Sequence, residues 1–162
     1  MFKLLSLLLL CFSFVLSAQN SDNDTDNDLV PNKIDKCPNT PEGVFVTRDG
    51  CIKSIHRTIY FNHASTYIND NFKNVIKETA ELINETPGYK IIISGHTDFI
   101  ADANVNMILS KKRAIVVEKL LIDNNVKKDK VTLKWYGETM PVATNITDVG
   151  RAKNRRVNIT LQ

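Results

Sequence analysis

From residue 52 onward, the hydrophobic positions alternate between the two-residue spacing of a strand and the three- to four-residue spacing of a helix. Each change of spacing marks a new predicted element. β-Branched and aromatic residues alternate with polar ones over 55–61, which predicts a strand. Apolar residues at three- and four-residue intervals predict a helix over 66–85, and Pro87-Gly88 ends it. The next stretch, 89–94, contains three consecutive Ile residues, a pattern typical of a central strand that is buried on both faces.

The second half of the chain continues this alternation. It predicts a helix over 103–124 and strands over 131–136 and 155–161, with an irregular loop between the two strands. The predicted apolar stripe of the second helix consists of Met107, Leu109, Val116, Val117, Leu120 and Leu121. The order βαβαβ-β predicts an α+β two-layer sandwich, in which two main helices cover one face of a small mixed four-stranded sheet.

The first 18 residues have the features of a secretory signal peptide. Lys3 precedes an apolar run from Leu4 to Leu16, and Ser17-Ala18 supplies small residues for cleavage. The run is shorter than the roughly 20 residues that a spanning helix needs, which disfavours a transmembrane anchor. A third interpretation, lipidation of Cys11, is disfavoured by the bulky Leu residues before it. We therefore expect the chain to be exported.

The charge of the chain is divided between two segments. The formal net charge of +3 is too small to indicate a nucleic-acid partner, and we expect none. Residues 19–51 hold three Lys or Arg and seven Asp or Glu, a net charge of −4, whereas residues 52–162 have a net charge of +6. We therefore divide the chain into a signal peptide (1–18), an acidic segment (19–51) and a folded domain (52–162).

The acidic segment has the spacing of a calcium loop. Asp24, Asp26 and Asp28 occupy alternate positions, where their carboxylates repel one another unless a cation lies among them. Hard divalent cations take six to eight oxygen ligands, which such a loop supplies as its backbone curls around the ion. The alternative interpretation is a solvated acidic linker.

The stretch from Asp24 to Pro38 resembles the thrombospondin type 3 repeat. The resemblance adds Asn32 and Asp35 to the calcium ligands, so that the predicted set is Asp24, Asp26, Asp28, Asn32 and Asp35. Leu29 stands where the repeat has Gly, which predicts a strained turn. Calcium is the one cofactor that we expect, and we expect no organic cofactor.

Two cysteines remain after the signal peptide, Cys37 and Cys51. An exported chain meets an oxidising compartment, so we expect a disulfide between them. Closing a loop of about 15 residues restrains the unfolded chain by roughly 3 kcal/mol. Residues 38–51, rich in Pro and Gly, then form an irregular hook that joins the acidic segment to the domain.

Polar residues gather where the central strand ends, at Gly95-His96-Thr97-Asp98. Three interpretations compete. His96 beside Asp98 could form a general base or a metal site. Asp98 could cap the turn before the helix. Alternatively, Asp98 and Arg113 could hold the opposite charges of one zwitterionic ligand.

Residues from about Ile55 to Leu161 resemble the OmpA-like C-terminal domain, which binds peptidoglycan in outer-membrane proteins, peptidoglycan-associated lipoproteins and flagellar stator proteins. The motifs that carry the resemblance are Gly95-His96-Thr97-Asp98, Asn106, Leu109-Ser110, Arg113-Ala114, Gly137-Glu138, Pro141, Asn145, Gly150-Arg151-Ala152 and Asn154-Arg155-Arg156-Val157. Members of this family often carry a thrombospondin type 3 segment before the domain. The resemblance, together with the signal peptide, implies export to the periplasm or to the periplasmic face of the outer membrane of a Gram-negative bacterium.

The resemblance implies a binding site for the diaminopimelate of the peptidoglycan stem peptide. Asp98 takes its ammonium and Arg113 its carboxylate, while Asn106, Thr97 and Arg155 line the pocket. We expect Asp98 and Arg113 to converge without needing to touch. We expect Arg155 to project from the last strand into the site. Its neighbour Arg156 should point to solvent.

The predicted function is non-catalytic peptidoglycan binding that links the cell wall to the outer membrane or to an envelope partner. One alternative is a calcium-dependent adhesive or spacer protein. The other is a peptidoglycan hydrolase built on His96 and Asp98, which the scattered positions of the three His residues disfavour. The partners that we expect are the stem peptide and outer-membrane proteins, and the sequence leaves dimerisation open.

Overall fold

The computed structural model describes residues 23–162, and the predicted signal peptide with Cys11 lies outside the described residues. None of the helices in the described range combines the length and the apolar content that a membrane crossing requires. The elements follow the order β1 Ile55–Tyr60, α1 Asp70–Glu85, β2 Ile91–Gly95, α2 Ala103–Asp123, a 3-10 turn Lys128–Lys130, β3 Val131–Trp135, α3 Asp148–Asn154 and β4 Arg156–Leu161.

The four strands form one mixed sheet in the order β1-β4-β2-β3. The last strand, β4, runs antiparallel to both of its neighbours, so that Ile159 pairs with Arg57 in β1 and with Ile93 in β2. β2 and β3 are parallel, and α2 provides the crossover that a parallel pair requires. The predicted central position of β2 is confirmed.

The core lies between this sheet and the two long helices. Ile76 and Ile83 of α1 and Val117 and Leu121 of α2 are fully buried, and they belong to one cluster with the inward residues of β2 and β4. Burial of one such side chain contributes about 1.5–3 kcal/mol relative to exposure. The predicted two-layer α+β fold is therefore confirmed.

Two boundaries differ from the predicted ones. The first helix begins at Asp70 rather than at residue 66, because Asn69 caps it: the Asn69 side chain accepts a hydrogen bond from the amide of Phe72 at 3.0 Å. The loop predicted between the last two strands contains a two-turn helix, α3, whose cap Thr147 accepts a hydrogen bond from the amide of Gly150 at 3.1 Å. The C-cap of this short helix is Arg155, which is one of the predicted site residues.

The predicted apolar stripe of α2 is partly wrong. Val117 and Leu121 are buried, but Met107 is 37% exposed. The buried side chains in the first half of the helix are instead polar, namely Asn106, Ser110 and Arg113. This half of α2 faces the polar end of β2 rather than the apolar core.

The segment before the domain is held by cross-links rather than by a core of its own. The predicted disulfide between Cys37 and Cys51 is present, with 5.1 Å between the two Cα atoms. Buried Tyr89 attaches the segment to the domain, because its hydroxyl donates to the carbonyl of Lys53 at 2.8 Å and accepts from the amide of Phe45 at 3.1 Å.

Candidate functional site

Gly95, the last residue of β2, allows α2 to approach the sheet closely. A Cβ atom at this position would lie 2.1 Å from the carbonyl oxygen of Ser110, so any larger residue would push the helix away. Arg113 lies one helical turn after Ser110 and therefore faces the end of β2. Local packing thus brings the Arg113 side chain to the loop that carries Asp98.

The Arg113 guanidinium is fully buried beneath the loop that follows β1. Its Nε atom donates to the carbonyl of Ser65 at 2.9 Å, its Nη2 atom to that of Asn62 at 3.0 Å, and its Nη1 atom to that of His96 at 3.0 Å. A guanidinium has five N–H donors, so two remain for other acceptors. The Phe61 ring lies against it, with its centroid 5.1 Å from the guanidinium carbon.

Three charges lie close together at this end of the sheet. Burial lowers the pKa of Arg113 to about 10, the charge of Asp98 opposes this shift, and the charge of Arg155 adds to it. Arg113 therefore keeps its positive charge at neutral pH. The charges of Asp98, Arg113 and Arg155 sum to +1.

Asp98 is only 4% exposed, and the two oxygens of its carboxylate have different environments. The Oδ2 atom accepts a hydrogen bond from Nη1 of Arg155 at 2.9 Å and lies 3.8 Å from Nδ1 of His63. Within residues 23–162, the Oδ1 atom has a single weak hydrogen bond, from the amide of Ile100 at 3.4 Å. Oδ1 is therefore the oxygen that can accept a hydrogen bond from an incoming ammonium.

The structure places Arg155 in the site, although not on the predicted strand. Arg155 is the C-cap of α3 and precedes β4, and its Nε atom also donates to the carbonyl of Phe61 at 3.1 Å. The prediction that Arg156 points to solvent is wrong, because Arg156 is 4% exposed. The connection after β3 folds over the outer face of the sheet, and the carbonyl of Met140 accepts a hydrogen bond from Arg156 at 3.2 Å.

Asn106 and Thr97 stabilise the loops around the site. Both N–H groups of the Asn106 amide are used, one by the carbonyl of Ala101 at 3.0 Å and one by the Glu138 carboxylate. The backbone amide of Thr97 donates to the carbonyl of Gly137 at 2.8 Å. The Thr97 hydroxyl is buried and has no hydrogen-bond partner among the described residues.

His96 lacks the geometry of a catalytic base. Its ring is buried and stacks on Tyr136, with 5.3 Å between the centroids. Burial, together with the charge of Arg156, lowers the pKa of His96 to about 4, so the ring is neutral at pH 7. Its Nδ1 atom has no partner in the described part of the chain, whereas the carboxylate of Asp98 pairs with Arg155.

Two residues that shape the site are absent from the predicted set of site residues. Buried Asn154 accepts hydrogen bonds from the amides of Val142 and Ala143 at 2.9 and 3.0 Å, and donates to Asn145 Oδ1 at 2.8 Å. It therefore fixes the loop that precedes α3. His63 approaches Asp98 from the loop after β1, and only the fold reveals this proximity.

The acidic segment forms a second candidate site. One carboxylate oxygen from each of Asp24, Asp26 and Asp28 lies within 4.8 Å of the other two. Each residue uses one oxygen to accept a backbone N–H, from Leu29, Thr40 and Val30 respectively. The other oxygen of each is buried without a hydrogen-bond partner among the described residues.

Asp35 follows the same pattern from a different part of the loop. Its Oδ1 atom accepts the amide N–H of Cys37 at 2.7 Å, and its Oδ2 atom is buried without a partner in the range described. Burial raises the pKa of Asp28, and the charges of Asp26, Asp35 and Asp24 raise it further. Asp35 thus lies close enough to act on Asp28, beside the cluster of Asp24, Asp26 and Asp28. Such a group of carboxylates fits a hard cation with oxygen ligands.

The side chain of the other predicted calcium ligand, Asn32, makes hydrogen bonds to Thr25. It is exposed, accepts from the Thr25 amide at 3.0 Å and donates to the Thr25 hydroxyl at 2.7 Å. The turn at Leu29 has a φ of 71°, in the left-handed region that the Gly of the repeat would occupy without strain.

Comparison with known proteins identifies the domain. The chain is 34% identical over 146 residues to outer membrane porin F of Pseudomonas aeruginosa, which covers 86% of this chain and 42% of the porin. It is 33% identical over 87 residues to the peptidoglycan-binding protein ArfA of Mycobacterium tuberculosis, which covers 54% of this chain and 27% of ArfA. This chain spans less than half the length of either relative.

Among solved structures, the peptidoglycan-associated lipoprotein of Burkholderia pseudomallei matches with a TM-score of 0.64 and 27% identity, over 65% of this chain and 90% of the lipoprotein. Residues 60–155 match the family model described as the OmpA family, and this range contains Asp98, Arg113 and Arg155. The chain belongs to the OmpA family.

Proposed function

We propose that this chain binds peptidoglycan without hydrolysing it, through the diaminopimelate of the stem peptide. The observation that carries the proposal is the meeting of Asp98, Arg113 and Arg155 at one end of the sheet. The free end of diaminopimelate has an ammonium and a carboxylate on one carbon, so its binding requires an anion and a cation side by side. The printed names of two relatives, a peptidoglycan-binding protein and a peptidoglycan-associated lipoprotein, support the same ligand.

Each group of the site has a role in this proposal. The free Oδ1 atom of Asp98 accepts from the ligand ammonium, and the two remaining N–H groups of Arg113 donate to the ligand carboxylate. Arg155 holds Asp98 in place from the other side. Because Arg113 is fully buried, the ligand reaches it only when neighbouring atoms move, and the loop at 62–65 contacts it directly.

A binding role accounts for the site better than hydrolysis does. The neutral, stacked ring of His96 makes no hydrogen bond to Asp98, so the two residues do not form a His–Asp pair that takes a proton from a water molecule. Similarity to an outer membrane porin and to a lipoprotein supports a place at the periplasmic side of the outer membrane. There the domain would link the cell wall to the outer membrane or to an envelope partner.

Co-sedimentation with purified sacculi tests this proposal. We expect the mature protein to sediment with sacculi that contain unmodified diaminopimelate, and to lose most of this binding when the free carboxylate of diaminopimelate is amidated. Asp98→Asn should reduce binding at least about tenfold, because a charge-assisted hydrogen bond contributes roughly 1.5–3 kcal/mol. Asp26→Asn removes a charge outside the site and serves as the control; equal sedimentation of Asp98→Asn and wild type would refute the mechanism.

We also propose that the acidic segment binds one calcium ion, as a structural element before the domain. Four buried carboxylate oxygens without hydrogen-bond partners support this proposal, from Asp24, Asp26, Asp28 and Asp35. A cation would relieve their mutual repulsion and tie the segment together. The same site would also serve the second candidate function, that of a calcium-dependent spacer or adhesive protein.

Calorimetric titration with calcium tests the second proposal. We expect one site per chain, a higher melting temperature in calcium, and weaker binding of magnesium, whose strict octahedral geometry suits this loop less well. Asp28→Asn should weaken binding strongly, because Asp28 lies among the other three carboxylates. Asp129→Asn, in the turn before β3, is the matched control. Absence of heat with wild-type protein would rule out the calcium site.

A further inference from the structure

A cavity of about 410 Å³ opens beside the Asp98 site, between the end of β1, the start of α1 and α3. Its apolar wall contains Tyr60 and Phe72, whose ring centroids are 6.1 Å apart. Tyr60 is 44% exposed, so this wall is open to a ligand. The proposed diaminopimelate site does not use these residues.

Two residues are shared between the cavity and the diaminopimelate site. Arg155 lines the cavity and donates to the carboxylate of Asp98. Asn62 also lines it, and the backbone carbonyl of Asn62 accepts from Arg113. A peptide whose diaminopimelate lies between Asp98 and Arg113 therefore has its adjoining residues next to this cavity.

The charged groups of the cavity are cations. Lys153 and Arg155 line it, and within residues 23–162 no Asp or Glu does. Arg155 is paired with Asp98, whereas the ammonium of Lys153 makes no ion pair with any described residue. The exposed amides of Asn62 and Asn69 add hydrogen-bonding groups at the rim. Such a lining favours an occupant with a carboxylate and a small apolar part.

We propose that this cavity binds a carboxylate of the stem peptide next to diaminopimelate, with Lys153 as its ionic partner and the Tyr60 and Phe72 rings against the adjoining aliphatic atoms. The inference rests on the proposed function. Two sources of the carboxylate are available in the stem peptide: the α-carboxylate of D-glutamate, which precedes diaminopimelate, and the C-terminal carboxylate of the D-alanine that follows it. The cavity would then distinguish peptides that differ only in amidation at one of these positions.

Calorimetry with the soluble tetrapeptide L-Ala-γ-D-Glu-meso-diaminopimelate-D-Ala tests the inference. The arms are the unmodified peptide, the peptide amidated at D-glutamate, and the peptide amidated at its C-terminus. Wild type should bind one of the two amidated peptides about two- to fivefold more weakly, as expected for a partly exposed ion pair, and that peptide identifies the source. Lys153→Gln should bind the unmodified peptide and that amidated peptide equally.

Lys127→Gln is the matched control, because Lys127 lies near Pro87, at the opposite end of α1. It should keep the wild-type preference. Equal affinity of wild type for all three peptides, or an unchanged preference in Lys153→Gln, would overturn the role of the cavity while leaving diaminopimelate binding in place. If wild type bound none of the peptides, the proposed function itself would fail.

Discussion

His96 is a buried ring that folding keeps neutral. Its pKa is lowered from 6.5 to about 4, so the unfolded chain binds a proton at this position at a higher pH than the folded chain does. The stability that depends on the neutral ring is therefore present above pH 6.5 and is lost as the pH falls toward 4. A family motif residue thus acts here as a pH-sensitive part of the core.

Replacing His96 with Phe should remove this pH dependence. Phe can keep the stack on Tyr136, and Nδ1 of His96 has no described partner to lose. Between pH 7 and pH 4.5, we expect the wild-type free energy of unfolding to fall by about 2 kcal/mol more than that of His96→Phe. Urea unfolding at the two pH values measures the difference.

The control for this experiment is His56→Gln. His56 is exposed and contacts Thr160 at 3.2 Å, so its replacement should keep the wild-type pH dependence. If His96→Phe lost as much stability at pH 4.5 as wild type does, groups other than His96 would account for the pH dependence.

The positions of two adjacent arginines, Arg155 and Arg156, were not equally predictable from the sequence. The resemblance to the OmpA-like domain implied a place for Arg155 in the site, and the structure brings it to Asp98. Alternation along a strand then assigned Arg156 to the solvent face. That inference failed because the outer face is not solvent at this end: the chain around Met140 covers it, and a pattern along one strand contains no information about such a loop.

At the scale of elements, the long helices were predictable and the short one was not. The first helix, α1, carries an apolar stripe that its core contacts require, so spacing alone located it. Of the seven residues of α3, only Gly150 and Asn154 are buried. Neither is a large apolar residue, so the sequence of α3 shows no helical hydrophobic periodicity. Thr147, followed by Asp148 in the first turn, was the available signal for its start.

The hook after Cys37 forms one wall of the proposed calcium site. Gly50 has a φ of 77°, and a Cβ atom there would lie 1.9 Å from Oδ1 of Asp35 and 3.3 Å from Oδ2 of Asp28. The hook and the acidic loop therefore meet at a point where only Gly fits. This contact joins two segments that the sequence separates by 15 residues, counted from Asp35 to Gly50.

Gly50→Ala should weaken calcium binding by about tenfold or more, as mutations beside metal ligands commonly do. The added methyl group displaces the carboxylate of Asp35, while Cys37 and Cys51 still pair. Gly43→Ala is the control, because Gly43 has a similar φ of 75° but contacts Pro87 instead of a carboxylate. Both variants should lose stability, and calorimetry should show that only Gly50→Ala loses calcium affinity. Equal calcium affinity of the two variants would contradict the assignment.

At the scale of the whole molecule, the hydrophobic core lies in the domain and not in the N-terminal segment, so we expect the domain to be the more stable of the two. The buried hydrophobic cluster lies within residues 59–161, and the earlier segment adds only partly buried residues such as Val44 and Ile52. The disulfide and the hydrogen bonds of Tyr89 hold that segment to the domain. Sequence composition indicated this division, because the acidic segment has few apolar residues. The attachment through Tyr89 could be identified only from the structure, because Tyr89 lies 44 residues from Phe45 in the sequence.

Reduction of the disulfide should therefore open the N-terminal segment and leave the domain folded. Loss of a bridge that closes a loop of about 15 residues costs roughly 3 kcal/mol, which a segment without its own core cannot offset. Hydrogen exchange with mass spectrometry should show faster exchange at residues 23–51 after reduction and unchanged protection in β2 and β4. The variant with both Cys37→Ser and Cys51→Ser should reproduce this result without reductant and still sediment with sacculi. Loss of protection in β2 or β4 would instead show that the two segments unfold as one unit.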